Sequence, residues 1–237
     1  GTCPDGVFRL HDGRLRRRYA QGEGVPSGHV RAITVDEAGT VWAGTRRGVV
    51  MLGEQGARAP NVPGLPQGLI TALASIDGAL WIGWVEGPHV LRGDKVERID
   101  VDAMGGARSV FGFRFVHGDV WIATDRGLYR YREGKLARVG LEQGLPVDAV
   151  FQLVPDRIGN AWVTSNRGVL RLRMEALDEA ADGSATPVPS ERYTEADGLP
   201  SSQANGSSSP SAILRGDGSV WIPTAAGIAA VDPARLQ

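Results

Sequence analysis

The residues best suited to chemistry recur in front of glycines. Arg46-Arg47-Gly48, Asp125-Arg126-Gly127 and Asn166-Arg167-Gly168 each follow a short apolar strand centred on a tryptophan. A guanidinium is a planar fork that holds a carboxylate or phosphate through two parallel hydrogen bonds. One unit departs from this pattern: Trp84 stands where the others carry Thr or Ser, and Glu86, Pro88 and His89 follow. Arg46, Arg47, Arg126 and Arg167, with Asp125 and Asn166 and an exposed indole at Trp84, form the set that an anionic or sugar-like ligand would need. Salt bridges that brace each turn are the other reading of the same arginines, and both stay open.

Other chemistry is missing. His11, His29, His89 and His117 fall in different parts of the chain, and none pairs at metal-ligand spacing. There is no Gly-x-Ser-x-Gly elbow and no phosphate loop, and Gly22-Glu23-Gly24 alone does not make a dinucleotide site. The carboxylates sit mainly in Asp-Gly turns such as Asp77-Gly78 and Asp217-Gly218, where they are expected to hydrogen-bond their own turn. No catalytic residue, metal site or cofactor is expected.

Composition narrows the remaining classes. The 26 basic and 27 acidic residues nearly cancel, which argues against a nucleic-acid partner. Apolar residues make up 42% of the 237, enough for a packed core, while 33 glycines are too many for a helical bundle. The single cysteine, Cys3, excludes an intrachain disulfide. No apolar run reaches the length of a membrane span, and no signal peptide is read.

The elements that must position the arginines are repeats. Trp42, Trp81, Trp121, Trp162 and Trp221 are spaced by 39, 40, 41 and 59 residues, each inside a strand such as Val41-Trp42-Ala43-Gly44-Thr45. A period near 40 with several short strands per unit predicts a β-propeller of four-stranded blades, five or six in this chain, with the tryptophans packed between blades. Blades are expected at residues 25–63, 64–103, 104–143 and 144–197, with a final blade at 198–237 and a partial one at 1–24. Turns at Gly24-Val25-Pro26, Gly64-Leu65-Pro66, Gly144-Leu145-Pro146 and Gly198-Leu199-Pro200 join them; the third unit has Met104-Gly105-Gly106 instead. The long last spacing holds an insertion over 174–190, whose Met174 to Ala181 stretch is rich in helix formers. It reads as a surface excursion or as a dimer or partner contact. In a propeller the arginine turns and the blade connections share the face where the central channel opens.

Gly-Leu-Pro followed by Asp-x-x-Gly-x-x-Trp-x-Gly-Thr-x-x-Gly resembles the two-component regulator propeller repeat, and the likeness runs over essentially the whole chain. Asp197-Gly198-Leu199-Pro200, Asn205-Gly206, Pro210-Ser211 and Asp217 to Thr224 are similar to that family's final blade. The resemblance implies an extracytoplasmic sensor propeller of a bacterial hybrid histidine kinase or membrane diguanylate cyclase. It implies a periplasmic location and downstream signalling domains in the same full-length protein. The ends read as those of a fragment, because Gly1 to Leu10 aligns with the second half of a blade. In a bacterial protein the sequon Asn205-Gly206-Ser207 has little meaning.

The function expected is therefore non-enzymatic sensing of a small-molecule or glycan-like ligand, an anionic one among the candidates, with a homodimer as one assembly open to the chain. The alternatives are a propeller lyase of the streptogramin-lyase type, against which the dispersed histidines argue, and a plain protein-interaction propeller.

Overall fold

A computed structural model describes residues 4–206 and 208–236. Cys3 with the two residues before it, and Ser207 of the sequon, lie outside the described residues. The fold is an all-β propeller type, built from consecutive antiparallel sheets in chain order. It divides into two compact units: one made of residues up to Asp100 together with Arg108–Val110, the other of Val101–Ala107 and the residues from Phe111 onward.

The first unit holds three sheets. A hairpin of β1 (Val7–His11) and β2 (Arg14–Tyr19) comes first. Next is the sheet of β3 (Val30–Val35), β4 (Val41–Thr45), β5 (Gly48–Gly53) and β6 (Gly56–Arg58). Then come β7 (Ile70–Ile76), β8 (Ala79–Trp84), β9 (Gly87–Arg92) and β10 (Lys95–Arg98).

The second unit holds the sheet of β11 (Val110–Val116), β12 (Asp119–Thr124), β13 (Gly127–Arg132) and β14 (Lys135–Val139). It continues with β15 (Val150–Pro155), β16 (Asn160–Ser165), β17 (Gly168–Arg173) and β18 (Ser190–Tyr193), and ends with the three-stranded sheet of β19 (Ile213–Leu214), β20 (Val220–Thr224) and β21 (Gly227–Val231). The chain thus holds four four-stranded sheets, one three-stranded sheet and one hairpin among the described residues. Helix α1 (Met174–Ala181) interrupts the fourth of the five larger sheets, between β17 and β18, and seats Met174, Leu177 and Ala180 in the core.

Strand alternation explains why each sheet needs neighbours. Successive side chains point to opposite faces, so Trp42 joins a cluster with Leu65, Ile70, Leu73, Leu80 and Ile82, while Ala43 joins one with Val7, Tyr19, Val25 and Val50. Trp162 and Val163 divide in the same way between two clusters of the second unit. Trp81, Trp121 and Trp162 are fully buried and Trp42 nearly so, whereas Trp221 in the final sheet is half-buried, with Arg215 stacked 4.5 Å over its ring.

The turn before the tryptophan is a hydrogen-bonded device. Asp36 Oδ1 accepts the Ala38 and Thr40 amides at 3.0 and 2.8 Å, and its Oδ2 accepts Trp42 Nε1 at 2.8 Å. Asp156 repeats this with the Ile158 and Asn160 amides and Trp162 Nε1. The third sheet of this length replaces the four-residue turn by the tighter His117-Gly118, with His117 at φ 51. That shortening removes the carboxylate, and Trp121 Nε1 is buried without a hydrogen-bond partner.

Candidate functional site

In each of the five larger sheets a short turn joins the second and third strands, and in four of them the hydroxyl that ends the second strand clasps it. Thr45 Oγ1 donates to Gly48 O at 2.9 Å and accepts the Arg47 amide at 3.0 Å. Thr124 does the same with Gly127 and Arg126, and Ser165 with Gly168 and Arg167. The hydroxyls are buried, so the clasp replaces water for two backbone groups. The glycine is required: at Gly127 φ is 97° and a Cβ would lie 2.5 Å from Val139 O.

This geometry fixes the arginines through their backbone and leaves their side chains out of the turn. Arg46, Arg47, Arg126 and Arg167 are exposed. None of their guanidinium groups has an ion pair or side-chain hydrogen bond among the described residues. Asn166 is also exposed, and Asp125 is half-buried. In the first unit, Arg46 and Arg47 occupy the β4–β5 turn and Trp84 ends β8. In the second, Asp125 and Arg126 occupy the β12–β13 turn, and Asn166 and Arg167 the equivalent β16–β17 turn.

Trp84 differs from expectation. It takes the place of the clasping hydroxyl, and a ring of that size cannot stay in the turn. It folds onto the core instead, half-buried against the cluster of Trp42 and Leu80, with its Nε1 buried and without a partner. A Cβ on Gly68 would lie 2.4 Å from that nitrogen, so only glycine lets the two segments approach. His89 lies 5.6 Å from the indole, buried, with Nδ1 3.2 Å from Gly87 O, and burial pushes its imidazole below the usual histidine value. Trp84 is thus half-buried, with a covered indole nitrogen, rather than the fully exposed indole read from the sequence.

In the second unit each arginine turn is hydrogen-bonded to the segment that leads into the following sheet. Gly127 N donates to Asp148 O at 2.7 Å, and Gly168 N donates to Ser202 O at 2.7 Å. Arg138 Nε donates to Arg126 O at 2.8 Å and steadies the first turn from behind. Two aromatic residues escaped the sequence reading: Phe111 and Phe151, both half-buried, meet edge to face at 5.1 Å and 80°. Phe151 sits at a β-bulge, which has no marker in composition.

A second polar cluster also lay outside that reading. Arg130, whose side chain is 5% exposed, pairs with Asp178 at 3.7 Å and with Asp182, and Arg132 pairs with the 3% exposed Asp119 at 2.6 Å. It ties helix α1 to the neighbouring sheet. The Arg130 hydrogen bond holds Asp182 below the usual aspartate range, while burial raises Asp178. Among the described residues no group of three or more His, Cys, Asp or Glu could hold a metal ion. No helix among them is long and apolar enough to cross a membrane.

Residues 24–47 match the family model of the two component regulator propeller. Among solved structures, the chain resembles the extracellular domain of BT3049 from B. thetaiotaomicron, assigned as a hybrid two component system, with a TM-score of 0.73 at 14% identity over 92% of this chain and 30% of that one. The corresponding domain of BT4673 from the same organism gives 0.73 at 16% identity over 97% of this chain and 30% of that one. Virginiamycin B lyase from Staphylococcus aureus gives 0.62 at 15% identity, over 87% of this chain and 67% of that one. The chain spans about a third of the length of the two B. thetaiotaomicron domains. No curated protein matches the sequence.

Proposed function

We propose that this chain, which carries a two-component regulator propeller repeat and shares the fold of extracellular domains of two-component systems, is a non-enzymatic ligand-sensing propeller of an extracytoplasmic signalling protein. The observation that carries the reading is the set of exposed guanidinium groups at equivalent turns, each fixed by its backbone and without an ion pair among the described residues. An arginine that stabilises nothing in its own turn is free to meet a carboxylate, phosphate or sulfate from outside. The ligand is a small anionic molecule or glycan fragment, and the output lies in other domains of a longer protein.

The test is a binding and turnover screen with this chain. Di- and trigalacturonate, against their neutral galactose counterparts, are titrated by calorimetry and then incubated and analysed by mass spectrometry. Binding of the acidic probe without conversion supports the reading. Conversion of a probe, or turnover of a streptogramin B by the route of the lyase fold, overturns the non-enzymatic assignment.

A further inference from the structure

We infer that Phe111 and Phe151 form the apolar floor of a ligand site in the second unit, and that Arg126 and Arg167 supply its anion-binding rim. The inference rests on the sensing function proposed above and names the side chains that would set its selectivity. It takes over the aromatic role that the sequence suggested for Trp84.

The argument starts from a bulge. In β3, β7 and β15 the pairing with the next strand slips after the first residue: Val30 faces Thr45 but Ala32 faces Gly44, Ile70 faces Trp84 but Ala72 faces Gly83, and Val150 faces Ser165 but Gln152 faces Thr164. The skipped residue leaves the ladder, and such bulges re-aim one side chain. Its neighbours are buried, as the ladder demands: Ile70 and Ala72, Val110 and Gly112, Val150 and Gln152. The residue between them is only half-buried, and its type changes along the chain: Arg31, Thr71, then phenylalanine twice, at Phe111 and Phe151. A position that the fold holds open but does not prescribe is where specificity can reside.

Hydrogen bonds bring the aromatic pair to the arginine turns. Asp148, which accepts from Gly127 in the Arg126 turn, lies two residues before Val150. Ser202 accepts from Gly168 in the Arg167 turn, Ala204 N donates to Ser165 O, and Gly206 packs so closely that a Cβ there would fall 2.3 Å from the Phe151 ring. Phe151 is therefore reached within a few residues from both turns. The two rings stay half-buried, one against the edge of the other, and neither has a polar atom to satisfy. Phenyl faces on segments that bond the turns of the exposed Arg126 and Arg167 fit a ring with one apolar face that bears a carboxylate. A uronic acid and an aromatic acid share that chemistry.

The experiment titrates this chain with digalacturonate and, separately, with 4-hydroxycinnamate, and follows the ligand ring protons by NMR. Stacking on phenylalanine moves those protons upfield, and the acid that shows this identifies the source. Phe111→Thr and Phe151→Thr, which install the residue found at the Thr71 position, should each weaken binding roughly three- to tenfold and abolish the upfield shift. Arg126→Ala should weaken it about tenfold or more while the shift at saturation persists. Phe111→Leu, which keeps the packing volume, carries the test if either Thr variant unfolds. Loss on Arg126→Ala with unchanged binding and shift in the phenylalanine variants overturns this inference and leaves the arginine face standing. Binding that ignores all the variants, or no binding of either acid, overturns it as well.

Discussion

Replacing Asp36 by Asn probes how the repeat locks its tryptophan. The carboxylate accepts three hydrogen bonds, from the Ala38 and Thr40 amides through Oδ1 and from Trp42 Nε1 through Oδ2. Asparagine keeps one carbonyl oxygen for the two amides but turns an NH2 group towards the indole N–H. Trp42 is 8% exposed, so that donor finds little water. A hydrogen bond to a charged group contributes about 1.5–3 kcal/mol, and the variant should lose stability in that range. For a chain of this size the loss lowers Tm by roughly 3–12 °C. Urea unfolding followed by tryptophan fluorescence measures it, and a cycle with Trp42→Phe isolates the indole bond, whose coupling should be about 1 kcal/mol. Burial alone would raise the Asp36 carboxyl, but the bonds from Trp42, Thr40 and Ala38 outweigh it and hold the group below the usual aspartate value. Its contribution is therefore complete above the unfolded-state value and fades as pH falls through the lower folded-state value. Asp36→Asn should remove that acid limb. Additive effects in the cycle, or an unchanged acid limb, would refute the reasoning.

Other perturbations follow from the same geometry. Arg130→Met should destabilise by about 3 kcal/mol in chemical denaturation, because it leaves the buried Asp119 to Arg132 alone and takes from Asp178 of helix α1 and from Asp182 at its end their buried guanidinium partner. Gly127→Ala should cost about 1–3 kcal/mol by the same assay, since the residue sits at φ 97° with Val139 O in the way. Trp121→Phe should cost less than Trp162→Phe, because the first indole N–H has no hydrogen bond to lose and the second bonds Asp156 at 3.0 Å; equal losses would contradict the hydrogen-bond account.

What the sequence carried was whatever repeats. The tryptophan period follows from a strand that every sheet must build, so Trp42, Trp81, Trp121, Trp162 and Trp221 mark second strands throughout. Helix α1 was also legible, because Met174 to Ala181 contains no breaker and meets Gly183 at φ 95 just beyond its end. The arginine turns were legible as positions, but not the state of their side chains: only the hydroxyl clasp shows that the backbone, rather than the guanidinium, holds the turn. The half-burial of Trp84 was not legible, because the covering of its indole nitrogen depends on the close approach of the glycine at position 68. Phe151 was hidden because a one-residue slip in register leaves no trace in composition, and Phe111 because its ring is placed by contact with Phe151, forty residues on. The Asp119–Arg130–Asp178 cluster joins residues far apart in the chain, which no local pattern links.

The central claim is that the exposed arginines before the turn glycines receive an anion. Calorimetric titration of this chain with digalacturonate, at low and high salt, tests it most directly when Arg126→Ala and Arg167→Ala are set against Arg157→Ala. Arg157 lies in the β15–β16 turn at the opposite end of its strands and bonds Gly216 O, so it matches the charge change away from the turns in question. Affinity that falls with salt, drops about tenfold or more in either turn variant and is unchanged in Arg157→Ala is the predicted result. Equal affinity in all three variants, or binding indifferent to salt, would contradict the account.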